Sequence, residues 1–213
     1  DAISLRKPSF YNPFAGTTQG TLVAPGTYTV SMSSYFNGEI KTVVSPVSFN
    51  VKALNNTVLP AADRAAKVTF QREVEELNRS MEGAANTIRE LDNKLKHIRA
   101  AIKMVEQPMA ALTTDANNLD KKLNDIKREL YGDRLKSRLD MSAPPTPMGR
   151  LGWVLYEQKN TTSTPTKTHR ESFAIAKEEF APILAKIRAV ADEDMVKLEE
   201  KLEESNAPYT PGR

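Results

Sequence analysis

Cysteine is absent from the chain, and histidine occurs only at His97 and His169. Without cysteine there is no thiolate nucleophile, no Cys-based zinc site and no disulfide, and cysteine usage leaves the redox compartment open. Long apolar runs are missing too. No stretch approaches the 18 or so residues of a membrane-spanning helix, so no membrane span is expected. The opening segment DAISLRKPSF has neither a basic n-region nor an apolar h-region, as expected of a mature chain or a piece of a longer one. A strong charge of one sign is lacking as well: 30 basic and 27 acidic residues leave a net charge of +3. That is not the clustered basic footprint of a nucleic-acid binder, so no nucleic-acid partner is expected.

What is present divides unevenly along the chain. Residues 1–59 hold only six charges, Asp1, Arg6, Lys7, Glu39, Lys41 and Lys52, whereas the sequence after Pro60 is dense in Lys, Arg, Glu and Asp. The composition therefore predicts two units, a partial β-sandwich over residues 1–59 with strands at about 27–53, and a helical bundle over 60–213. A chain of 213 residues has length enough for such a core without staples.

In the first unit Tyr28, Val30 and Met32 alternate with Thr27, Thr29 and Ser31, the period-2 pattern of a half-buried strand. Asn37-Gly38 is a strong hairpin signal, because a type I′ turn needs positive φ at both central residues. A return strand is expected over Glu39–Val44. A third is expected after Pro46, with Val47, Phe49 and Val51 on one face. Residues 1–20 show no periodicity and read as loop. Three strands are too few to bury a face alone, so a cover is expected: the helices, another copy of the chain, or strands from elsewhere.

In the second unit Phe70, Val74, Leu77, Met81, Ala84, Ile88, Leu91, Leu95, Ile98, Ile102 and Val105 recur in 4-3 spacing, the seam of a coiled coil or bundle. Gln107-Pro108 is expected to end or kink this helix. The stripe resumes through Met109, Leu112, Ala116, Leu119, Leu123, Ile126 and Leu130, so an antiparallel return within 106–115 is predicted, with Thr114 or Asp115 as a cap. Gly132 reads as a stop before a Pro-rich connector. Arg150–Gln158 reads as a short amphipathic helix whose Trp153 fills the core or, with Tyr156, offers a stacking surface. A last helix opens at Thr164-Pro165 or through a Thr168-x-x-Glu171 box. It buries Phe173, Ala176, Phe180, Leu184, Ile187, Ala191, Met195, Leu198 and Leu202, with a kink at Pro182. The fold class is thus α+β: a mainly helical antiparallel bundle preceded by a short antiparallel β-ribbon.

The residues point to no chemistry. No Glu-x-x-His, G-x-S-x-G, P-loop or G-x-G-x-x-G occurs. His97 and His169 read as solvated imidazoles. The acidic pairs Glu75-Glu76, Glu178-Glu179, Asp192-Glu193-Asp194 and Glu199-Glu200 fall between stripe positions, on outward helix faces, unlike the facing carboxylates of a glycosidase cleft. No catalytic, cofactor-binding or metal-binding residue is assigned, and no cofactor is expected.

As an ordered set, LVAPGTYTVSM, a hairpin, PVSFNVKA, a heptad helix, ELYG, GRLGWVLY, PTKTHRESFAIAKEEFAPIL and NAPYTPGR resemble the C-terminal region of large secreted bacterial proteins. Those proteins carry sortilin-type or BNR β-propeller repeats and are often labelled glycosyl hydrolases. The resemblance spans most of residues 20–213. It implies that the ribbon is the second half of an immunoglobulin-like domain, that the chain is extracellular or periplasmic, and that its partners are upstream domains of the parent protein. The implied function is a non-catalytic accessory module. The alternative is a coiled-coil interaction or self-association module, working through the helix seam or the β-ribbon. A seam covered by the chain's own helices favours the first, an open seam the second.

Overall fold

The computed structural model describes residues 22–54, 60–105, 110–159 and 161–211. The loop expected over 1–20, the break at Gln107-Pro108 and the stripe position Met109 lie outside the described residues.

Strands β1 (Gly26–Phe36) and β2 (Glu39–Val51) form an antiparallel ribbon. Asn37 and Gly38 make the turn with φ of 49° and 84°, the paired positive values the Asn-Gly sequence predicts. The return is one long strand where two are expected. Val30 pairs with Val47 and Met32 with Val44, so Ser45 and Pro46 together oppose Ser31; Val43 is a second extra residue before Ser33 pairs with Thr42. Pro46 sits in the first of these bulges, where no ladder hydrogen bond is asked of it, and the strand runs on instead of ending. The described residues thus form a two-stranded ribbon and not a sandwich.

Helix α1 (Arg64–Ile102) begins at Asp63, whose carboxylate accepts the Ala66 N–H at 2.9 Å, and at 39 residues is about 58 Å long. Helix α2 (Ala110–Tyr131) returns against it, as the rungs Asp92–Lys127 (2.6 Å) and Arg99–Asp120 (3.2 Å) show. The chain is already helical at Ala110, so neither Thr114 nor Asp115 is the cap. Thr114 Oγ1 donates back to the Ala110 carbonyl, and Asp115 reaches Lys201 at 2.6 Å. Gly132, with φ of 87°, ends α2 as its N–H donates to the Arg128 carbonyl.

The connector contains a one-turn helix, α3 (Arg134–Arg138), which the proline-rich sequence conceals. Its cap, Asp133, accepts from the N–H groups of Leu135 and Lys136, and these bonds hold its carboxyl below the usual aspartate range. A depressed folded-state pKa favours the folded cap above the ordinary carboxylate range and loses that contribution as pH falls through the depressed value. Amide resonances of Leu135 and Lys136 are therefore expected to shift, and α3 to fray, only on acidification below about pH 4. Fraying that begins near neutral pH would assign the cap to another group.

Helices α4 (Pro147–Lys159), α5 (Lys167–Ala189) and α6 (Met195–Glu204) complete the bundle. The α5 cap is Thr166, in neither expected box: Thr166 Oγ1 accepts the His169 N–H, and His169 Nδ1 accepts the Thr166 N–H, both at 3.2 Å. Helix α5 runs on through Pro182.

Between α5 and α6 a π turn, Val190–Asp194, puts the Met195 N–H on the Val190 carbonyl. Five residues of π geometry advance by nearly the same angle as four of α, so Ile187, Val190, Met195, Leu198 and Leu202 stay on one face. This replaces Ala191, expected in the stripe and here only partly buried, by Val190. Helix α6 ends in a Schellman motif: Asn206 has φ of 51°, its N–H meets the Glu203 carbonyl, and the Ala207 N–H meets that of Leu202.

One core gathers the stripes of α1 and α2 with Leu151, Val154, Phe180, Ile187 and Leu202. The α1 seam is covered by α2, α4, α5 and α6.

Candidate functional site

The two histidines have different settings. His97 is exposed, as read from sequence. His169 is not simply solvated: besides capping α5, its Nδ1 lies 2.9 Å from Gln158 Nε2, and its ring sits 4.9 Å from that of Trp153. Two acceptor roles at Nδ1 place the ring proton on Nε2. Behind it Gln71 and Gln158, each 1% exposed, are joined by a 2.6 Å bond from Gln71 Nε2 to the Gln158 carbonyl. This relay locks α4 to α1 and to the start of α5, and its work is positional. Trp153, 41% exposed, lies over His169 at the surface and does not fill the core; Tyr156 is more exposed still.

Three of the four acidic groups reach across to another helix. Glu199 is not outward-facing but meets Lys94 at 2.7 Å, Asp194 meets Lys122 at 2.8 Å, and Glu179 approaches Arg150 at 3.7 Å. In each, one carboxylate of a sequence-adjacent group crosses to another helix. Among the described residues no group of three or more His, Asp or Glu side chains is placed to hold a metal ion, and no helix is long and apolar enough to cross a membrane.

Two features are left unabsorbed by the bundle. The first is the ribbon face. Register puts Tyr28, Val30, Met32, Val44, Val47, Phe49 and Val51 on one side, with the Tyr28 and Phe49 rings stacked at 6.1 Å. Val30, Met32, Val47 and Phe49 are each about half exposed. The helices do not cover this face, contrary to one of the covers expected from the sequence.

The second is a cleft of about 360 Å³ where the base of the ribbon meets the first turn of α1. Val23, Pro25, Val51, Leu54 and Val68 supply apolar walls. Among the described residues that line it three are cations, Lys52, Arg64 and Lys67, and none is a carboxylate. Lys67 is 6% exposed, and desolvation lowers its pKa from the usual lysine value. Sequence reading passed over it, although Lys67, Phe70 and Val74 extend the seam one turn toward the N-terminus.

A mainly helical bundle bearing a β-ribbon is the class of protein these elements define. Comparison of the chain with family models, curated proteins and solved structures gives no match.

Proposed function

We propose that this chain is a non-catalytic accessory module of a larger exported protein of the β-propeller type it resembles. In this reading the ribbon contributes two strands to an immunoglobulin-like sandwich whose remaining strands belong to a neighbouring part of the parent protein, and the helical bundle supports or spaces that unit. The carrying observation is the contrast between a closed helical core and an apolar ribbon face left in water. Each such side chain contributes roughly 1.5–3 kcal/mol when fully buried, so the face favours a cover strongly.

Size argues for a tethered cover. One ribbon face offers on the order of 500 Å², below the roughly 800 Å² per partner of an ordinary stable interface, so a cover on the same chain gains from effective concentration what a free partner lacks. The second reading, self-association, draws on the same face and on the two ribbon edges left unpaired among the described residues. The helix seam is not open to it, being covered within the chain.

The test extends the chain upstream in its own reading frame. The extended protein is expected to sediment as a monomer and to protect the amides of residues 26–51 from hydrogen exchange, while the present chain exchanges them quickly or self-associates. Equal protection in both, with both monomeric, would sink the module reading; protection that grows only with concentration would favour self-association.

A further inference from the structure

A groove of about 1090 Å³ runs between α1 and α2, lined also by the start of α3. Its volume exceeds the roughly 300–1,000 Å³ of small-ligand sites, which suits a segment of polymer better than a small molecule. Among the described residues that line it, six are cations and three are carboxylates, an excess of three positive charges. That excess is as large as the net charge of the whole chain. Each carboxylate is already engaged: Asp92 with Lys127, Asp120 with Arg99, and Asp133 with the backbone that opens α3. Arg128 is paired with Asp125. Arg89, Lys121 and Arg134 are left over, all exposed and none in ion-pair contact with a carboxylate among the described residues. Arg89 donates only to neutral oxygens, the Ala85 carbonyl and the Asn86 side-chain amide.

These spare cations stand at two levels. The rungs Asp92–Lys127 and Arg99–Asp120 align the helices so that Lys121 is level with about residue 98 of α1, roughly 14 Å along the axis from Arg89. Arg134 follows Gly132, at the end of α2 nearest Arg89. We propose that the groove binds an extended acidic peptide segment, with carboxylates toward both ends and neutral residues between them. About five extended residues cover 14 Å. Arg89 and Arg134 take carboxylates at one end through their forked N–H donors, and Lys121 takes one at the other. The span between holds the Asp92–Lys127 pair, which offers no spare charge, and Asn124, whose amide N–H groups can meet a peptide carbonyl. A chain charged at every unit, such as single-stranded nucleic acid, leaves its central charges unmatched there, whereas a peptide can carry neutral residues at that point.

The probe is the end-blocked peptide Glu-Glu-Ser-Gly-Ser-Glu-Glu, titrated into the full chain at low ionic strength and followed by amide NMR. Its neutral counterpart has Gln in place of every Glu. The acidic peptide is expected to give saturable shifts confined to residues 88–99 and 117–135, and to bind about tenfold more tightly than the neutral one. Arg89→Gln and Lys121→Gln, at exposed positions that leave the core untouched, should each weaken it about threefold. Lys177→Gln, exposed on α5 and outside the groove, should change it by no more than about 1.5-fold. Equal affinities for the two peptides, or no saturable shifts, would overturn the proposal. Equal losses in all three variants would do the same, by reducing the binding to general charge attraction. Tighter binding of a seven-unit oligothymidylate than of the acidic peptide would make this a nucleic-acid face and refute the peptide site.

Discussion

Leu91→Asp is expected to destabilise the bundle by about 3–5 kcal/mol, a fall in melting temperature of roughly 10 °C, because it places a carboxylate on the covered face of α1. Leu91 is 6% exposed and belongs to the one core. Its ionised replacement would have to remain unpaired among apolar side chains or drive α1 away from its neighbours. Glu90, the preceding residue, is exposed, and Glu90→Ala should stay within about 0.5 kcal/mol. Thermal unfolding of the two variants side by side checks the phase of the whole helix. Equal shifts would mean that α1 presents a different face to the bundle.

The π turn leads to a second large difference, between two single-residue deletions. Removing Asp192 turns the Ile187, Val190, Met195, Leu198, Leu202 spacing into a regular 3-4-3-4 α pattern, so every core residue keeps its direction. The expected cost is about 1 kcal/mol or less, from altered surface ion pairs. Removing Glu178 instead rotates everything before it by about 100° relative to Phe180. Ala176 and Phe173 leave the core, Phe70 loses its edge-on contact with Phe173 at 5.5 Å, and the expected loss is about 3 kcal/mol or more. Denaturant unfolding of the two deletants distinguishes them. Comparable losses would show that the π turn does not set the phase of the last helix.

The helical stripes were the legible part of the fold, since a 4-3 repeat over ten positions of α1 and six described positions of α2 has few alternative readings. Legibility failed where one residue's meaning depends on its partner. Pro46 reads as a strand break until the register shows it in a bulge. Val190 falls out of phase with Met195 until a fifth residue is admitted into the turn. Thr166 escaped notice because its partner three residues on is His169, where Glu or Gln is the usual signal. Lys67 was in seam register, but a lysine is ordinarily read as solvated, and its burial shows only once the ribbon base and the first turn of α1 are seen to line one cleft.

The two bulges of β2 make the ribbon's edges unequal. The outer edge of β2 is interrupted at Val43 and again at Ser45-Pro46, where an amide proton is missing and the backbone twists sharply. The outer edge of β1 is uninterrupted over 11 residues and free of proline. An incoming strand thus finds a full-length ladder on one side only, and once it has docked there the side that remains is a poor template for the next. Strand addition at the β2 edge is thereby disfavoured relative to the β1 edge.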